Sequence, residues 1–254
     1  MPLKLFSNKK FRQAIAFALN RKEIIKKSVM GLAFVHDSPL TNRSLYYKPI
    51  SRKLYDIKKA KELINEIGLK DIDGDGILNF PDGENIRLTI ETFEENKRNK
   101  LILQVILENL KTIGILAEEN LVSMPELIYK LTESGTWDMI LSYMFREQDP
   151  YLEKNKWLSS GPLHFWFANQ EKPHTDWEAE IDQIIYKLQV INDFEKRQRE
   201  LKNFQEIIQE QMPIIFLYTD AEIYAVRNRI GNLTPSSRAN GIFSNKILSR
   251  LFIY

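Results

Sequence analysis

Cysteine is absent from all 254 residues. Disulfides, thiolate metal sites and thiol nucleophiles are therefore excluded. Histidine is scarce: His36, His164 and His174 stand too far apart for metal-ligand or nucleophile spacing. No stretch approaches the roughly 20 consecutive apolar residues of a membrane-spanning helix. Met1-Pro-Leu-Lys-Leu-Phe6 is too short for the apolar core of a secretion signal. No P-loop or dinucleotide fingerprint occurs, and Ser159-Ser160-Gly161 lacks the strand-turn-helix setting of a nucleophile elbow. A charge excess is missing too: 36 basic and 34 acidic side chains leave +2. No nucleic-acid partner is implied, and Lys9, Lys10 and Arg12 read as a solvated helix face.

What is present is the balance of a soluble globular chain, 43% hydrophobic and 28% charged. A chain of this length buries roughly 70–75% of its unfolded surface. Phe11, Ile15, Ala18 and Leu19 mark an amphipathic helix. Asn20 with Glu23 caps a second one running to Val29. Residues 32–54 hold Pro39 and Pro49 without a period and read as a long loop. Asp56 caps the next helix, striped by Ala60, Leu63, Ile64 and Ile67 and ended by Gly68. Ile86, Leu88 and Ile90 alternate as a half-buried strand. Leu101 to Ile113 forms a helix stopped by Gly114, and Ile115–Val122 returns as a strand. Such a unit favours parallel strands. Ser123 with Glu126 caps a short helix to Gly135, and Trp137–Tyr143 reads as a buried strand. Residues 144–176 form a long aromatic loop, of a kind more often functional than idle. Two long helices follow, through Ile181–Ile191 and Leu201–Ile208. Strands are expected at Pro213–Tyr218 and Ile223–Val226. The class is α/β, with helices covering a mixed sheet.

Two clusters carry possible chemistry. Asp71, Asp73, Asp75, Gly76, Asn79 and Asp82 follow the ligand spacing of an EF-hand calcium loop. Pro81 and Gly83 break the exit, and a strand follows where a helix belongs. The loop is either an acidic surface turn or a Ca²⁺ site using Asp71, Asp73, Asp75 and Asp82; no other cofactor is implied. Glu180 and Asp182 lie two apart on a helix and do not face each other. They read as N-terminal helix charges rather than an acid-base pair.

Several segments resemble one family in chain order. These are Phe11-Arg-Gln-Ala through Arg21, Tyr55-Asp56 with Lys59 to Leu63, Trp137-Asp138, and Asp149-Pro150. Ser160-Gly-Pro-Leu-His-Phe-Trp166, Thr175 to Asp182 with Asn192 to Arg197, and Gln211-Met-Pro to Tyr218 complete the order, with Ala225-Val-Arg227 to Gly231 beyond. Together they resemble the C-terminal lobe of the oligopeptide- and dipeptide-binding proteins of bacterial ABC importers, a periplasmic-binding-protein type II-like fold.

The resemblance implies a non-enzymatic, extracytoplasmic protein. It captures a peptide or other small solute between two lobes and delivers it to a membrane permease. Family members carry a large N-terminal lobe before the Arg-Gln-Ala helix, so the chain resembles one half, cut or truncated. Residues 1–220 are expected to form the ligand-binding lobe, and 221–254 to return to the missing lobe. The apolar tail and the bare cleft wall imply that the half self-associates or folds its tail over its own surface. In peptide-binding members an aromatic stands six residues before the Asp-Pro, and an Asp that pairs with the peptide ammonium stands three before. These positions hold Tyr143 and Arg146; the charge is inverted, and Glu147 or Asp149 is the alternative. Trp157 and Trp166, with Phe165 and Phe167, are expected either to wall the cleft or to pack in the core. The runner-up reading is a calcium-binding structural module built on the acidic loop.

Overall fold

The computed structural model describes residues 2–49, 53–144, 146–221, 223, 225, 227–232 and 252–253. Three helices open the chain: α1 (Pro2–Ser7), α2 (Lys9–Ala18) and α3 (Arg21–Val29). Asn8 and Asn20 accept the amides of Lys10 and Glu23, so α2 and α3 each start on a side-chain cap. Met30 closes α3 in the left-handed region at φ 53°, and Gly31 follows at φ 83°. This turn releases β1 (Ala33–Val35) inside the stretch expected to be loop. The helix α4 (Ile57–Glu66) begins where Asp56 accepts the Lys59 amide.

The expected strand-helix-strand unit is β2 (Arg87–Phe93), α5 (Lys97–Lys111) and β3 (Leu116–Val122). Its strands are parallel, from Arg87 against Leu116 to Phe93 against Val122. Gly114 ends the helix at φ 80°, where an added Cβ would stand 3.0 Å from Leu78 Cγ. The next helix, α6 (Met124–Tyr129), runs on into a π-helical turn at Lys130–Ser134.

The strand expected at Trp137–Tyr143 shrinks to β4 (Met139–Ile140), half-buried, parallel to β2 on its other side. The reason is local: Asp138 accepts the Thr89 amide at 2.9 Å, so a side chain fills the place of a ladder bond. The sheet order is β3-β2-β4.

The aromatic loop contains short helical pieces: a 3₁₀ turn at Pro150–Glu153, α7 (Lys154–Trp157) and a second 3₁₀ turn at Phe165–Phe167. Long helices α8 (Asp176–Val190) and α9 (Phe194–Gln211) follow, α8 opening on a Thr175–Glu178 capping box. The strand expected from Pro213 begins only at Tyr218. It is β5 (Tyr218–Asp220), which pairs antiparallel with β1 as a two-stranded ribbon. The pair β6 (Ile230–Gly231) and β7 (Phe252–Ile253) is antiparallel too. Parallel and antiparallel pairings thus fall in separate sheets. The strand expected at Ile223–Val226 lies largely outside the described residues, and Ile223 and Ala225 are not in a strand. Most of the 221–254 tail is also outside them.

Two cores support this arrangement. The first joins Leu88 and Ile90 of β2 to Phe11 and Ile15 of α2, Leu63 of α4 and Leu103 of α5. The second is built by α8 and α9 around Trp157, Ile181, Leu201 and Phe204. Each fully buried aliphatic or Phe side chain contributes roughly 1.5–3 kcal/mol. Polar stitches join the halves. Arg12 donates from Nε and Nη2 to the Gln211 carbonyl at 2.9 and 2.6 Å, and Arg21, 5% exposed, donates to the Phe216 carbonyl at 2.9 Å. Buried Gln205 donates to the Tyr46 carbonyl and accepts from Ser38 Oγ and the Lys48 amide, holding the 38–48 loop on α9.

Candidate functional site

In open α/β sheets the crevice beyond the carboxyl ends of parallel strands is where loops gather around a ligand. Here β4 feeds residues 141–144 and 146–149 into that position, beside the end of β2. The β1–β5 ribbon is moored nearby: Asp220 of β5 pairs with Arg98 in the first turn of α5 at 2.7 Å. Arg146 bridges loop and ribbon. Its Nη1 donates to the Ser38 carbonyl at 3.1 Å, its Nη2 to Thr219 Oγ1 at 2.7 Å, and its guanidinium lies 5.6 Å over the Phe216 ring. Burial lowers its pKa from the ordinary arginine value, opposed by Tyr143, Glu153 and Tyr47. Tyr143 is 69% exposed.

Behind Arg146, His36 is buried and stacks on Tyr47 at 5.6 Å. Its Nε2 donates to the Leu40 carbonyl at 2.7 Å. Burial, and then the Arg146 charge, push its pKa down to about 4, so the ring is neutral at pH 7.

The other expected ligand residues are engaged in contacts within the fold. Asp149 is engaged within the fold: its Oδ1 accepts the Tyr151 amide at 3.0 Å, and its Oδ2 accepts Arg197 Nε at 2.7 Å and Nη2 at 2.6 Å. Trp157 is 1% exposed and packs edge-on against Phe204 at 5.0 Å, inside the second core. Of its two expected places this burial fits the core, with Trp166 also against its ring at 6.1 Å. Trp166 is half-buried and donates from Nε1 to Glu178 at 3.2 Å. Burial raises the Glu178 carboxyl, but hydrogen bonds from His164, Thr175 and Trp166 outweigh it and hold the pKa at about 2. Of the five, Tyr143 and Arg146 come together at the strand ends. Ser38, Phe216 and Thr219 complete that corner. Sequence reasoning missed them because they are ordinary residues far apart in the chain.

The acidic loop brings carboxylate oxygens of Asp71, Asp73 and Asp75 within 4.8 Å of one another, all exposed. Asp82 does not join that group; it accepts the Glu84 amide in its own turn. Asn79 turns inward, 3% exposed, and accepts the Ile72 amide at 2.7 Å. The loop satisfies its own carboxylates. Asp71 accepts the Gly74 and Gly76 amides, and Asp75 accepts the Ile77 amide and Asn85 Nδ2. No helix of the described residues is long and apolar enough to cross a membrane.

An α/β lobe with a helix-covered parallel sheet and a loop corner at its strand ends has the architecture of periplasmic binding proteins of type II. The profile of the bacterial extracellular solute-binding proteins, family 5 Middle, matches residues 3–160, and the chain belongs to that family. It is 30% identical over 223 residues to the oligopeptide-binding protein AppA of Bacillus subtilis, covering 84% of this chain and 39% of the relative. It is 21% identical over 245 residues to the periplasmic alpha-galactoside-binding protein of Rhizobium meliloti, covering 91% of this chain and 35% of that one. Among solved structures, it matches AppA from Bacillus subtilis in complex with a nonapeptide with a TM-score of 0.74. Identity there is 24%, over 99% of this chain and 48% of that one. It matches MelB from Agrobacterium fabrum in complex with stachyose with a TM-score of 0.77 and 22% identity, over 99% of this chain and 40% of that one. The chain therefore spans less than half the length of these relatives.

Proposed function

We propose that this chain is one lobe of the substrate-binding component of a peptide-class ABC importer. It forms one wall of a cleft that closes on a peptide or other small solute. A second lobe supplies the opposite wall, and a membrane permease receives the cargo. The role is capture outside the cytoplasm, without catalysis. Closure is a population shift favoured by a ligand that touches both lobes.

The observation that carries this reading is the Tyr143–Arg146 loop, set beyond the carboxyl ends of the parallel sheet, with one exposed aromatic and one half-buried cation. The family membership supports it, as does AppA, named as an oligopeptide-binding protein. With one wall alone, affinity is expected to be roughly millimolar, because each ~1.4 kcal/mol of lost contact is tenfold. Amide chemical shifts of the ¹⁵N-labelled chain, titrated with mixed tri- to nonapeptides, provide the test. Shifts are expected in residues 141–149, 33–38 and 218–220, and smaller ones with stachyose. Peptide-induced shifts confined to other surfaces would overturn the reading.

A further inference from the structure

Arg146 is held in an unusual way for a cation. Its partners among the described residues are neutral: a carbonyl, a hydroxyl and an aromatic face. A guanidinium carries five N–H donors, and these contacts use two of them. Withdrawing a cation from water is costly unless an opposite charge is supplied. The acidic group that bears on it, Glu153, is itself clasped by Lys156 at 2.5 Å. His36, behind it, is neutral and brings no negative charge. Tyr143 stands beside it on the exposed side of the loop.

We propose that Arg146, flanked by Tyr143, is a subsite for a carboxylate of the captured solute; this rests on the reading that the 141–149 loop faces ligand. An arginine grips a carboxylate with two parallel N–H···O bonds of about 2.7–2.9 Å, roughly twice as strong as neutral hydrogen bonds. The anchored guanidinium is already oriented by Ser38 and Thr219, so little side-chain freedom is lost on binding. The same charge repels an ammonium. The solute end lodged here is therefore anionic, and a free peptide amino terminus is disfavoured at this position.

The test uses the whole chain and two trialanine probes followed by amide shifts. Acetyl-Ala-Ala-Ala carries a carboxylate and no ammonium; Ala-Ala-Ala-amide carries the reverse. The acetylated peptide is expected to bind at least tenfold tighter. Arg146→Gln should bring the two within about twofold, while Arg146→Lys should keep the ranking at lower affinity. Thermal melts of both variants check that the lobe stays folded. Equal or tighter binding of the amide, or a tenfold preference that survives Arg146→Gln, overturns the carboxylate assignment while leaving capture at the loop intact. If neither peptide moves loop resonances, the capture reading fails and this one falls with it.

Discussion

Arg197 closes on Asp149 with two nitrogens, Nε at 2.7 Å and Nη2 at 2.6 Å from the same carboxylate oxygen. Its Nη1 reaches the Leu188 and Ile191 carbonyls at 2.6 and 3.0 Å. Two segments 48 residues apart are thereby tied together. The pair holds the end of α8, the start of α9 and the exit of the 141–149 loop. Both partners are largely buried, 13% and 19% exposed. Removing one partner of such a pair strands the other. Asp149→Ala or Arg197→Met should cost about 2–4 kcal/mol in urea unfolding. A loss under about 0.5 kcal/mol would show that the pair behaves as an exposed one.

Glu91 sits in mid-strand at 4% exposure, and Lys130 of the π-helical turn reaches it at 2.7 Å. Glu91 Oε2 has no hydrogen-bond partner in the described structure. Lys130→Met should therefore destabilise by roughly 3 kcal/mol, by leaving a buried carboxylate uncompensated. Adding Glu91→Met should restore most of that loss. A double variant no more stable than the single one counts against this account.

Two strongly shifted groups, His36 and Glu178, act on stability in the same direction but in different pH windows. The folded pKa of His36, about 4, lies below its ordinary 6.5. As pH falls through 6.5 the unfolded chain takes up a proton that the folded one refuses. Stability therefore declines from about pH 6.5 to about 4, by roughly 3 kcal/mol at most. Glu178, at about 2 against an ordinary 4.5, adds stability above pH 4.5 that is lost as pH falls toward 2. Urea midpoints should drop between pH 7.5 and 5, and His36→Phe should flatten that segment. An unchanged slope in the variant rules out His36 as its source.

Calcium is expected to leave the melting temperature unchanged relative to chelator. The Asp71 and Asp75 carboxylates already accept backbone and Asn85 donors, and Asp82 stands apart from the cluster. An ion held by the folded state alone would raise the midpoint by mass action, so a rise of several degrees in excess Ca²⁺ contradicts the surface-turn account.

Large apolar side chains lie bare on and beside the β1–β5 ribbon. Met30 is 84% exposed, Phe34 60%, Ile223 65% and Tyr143 69%. Exposed apolar surface beyond a few hundred Å² usually finds a partner. Light scattering should show concentration-dependent association, relieved by Phe34→Lys. A monodisperse monomer at high concentration weighs against it.

The amino-acid sequence by itself determined the local elements. Side-chain caps at Asn20, Asp56 and Ser123, apolar stripes at helical spacing and the β2–α5–β3 unit depend on neighbours a few residues apart. The ordered motifs determined the family, because each is a short string. Tertiary structure alone decided which of these residues share a place. The sequence could not say that Trp157 is sealed by Phe204, that Asp149 belongs to Arg197, or that Asp138 cuts a strand short by accepting the Thr89 amide. Nor could it show Arg146 reaching Ser38 and Thr219, which lie 108 and 73 residues away. Periodicity reports which face of an element is apolar. Which elements then meet is set by burial across the whole chain, and no local pattern encodes it.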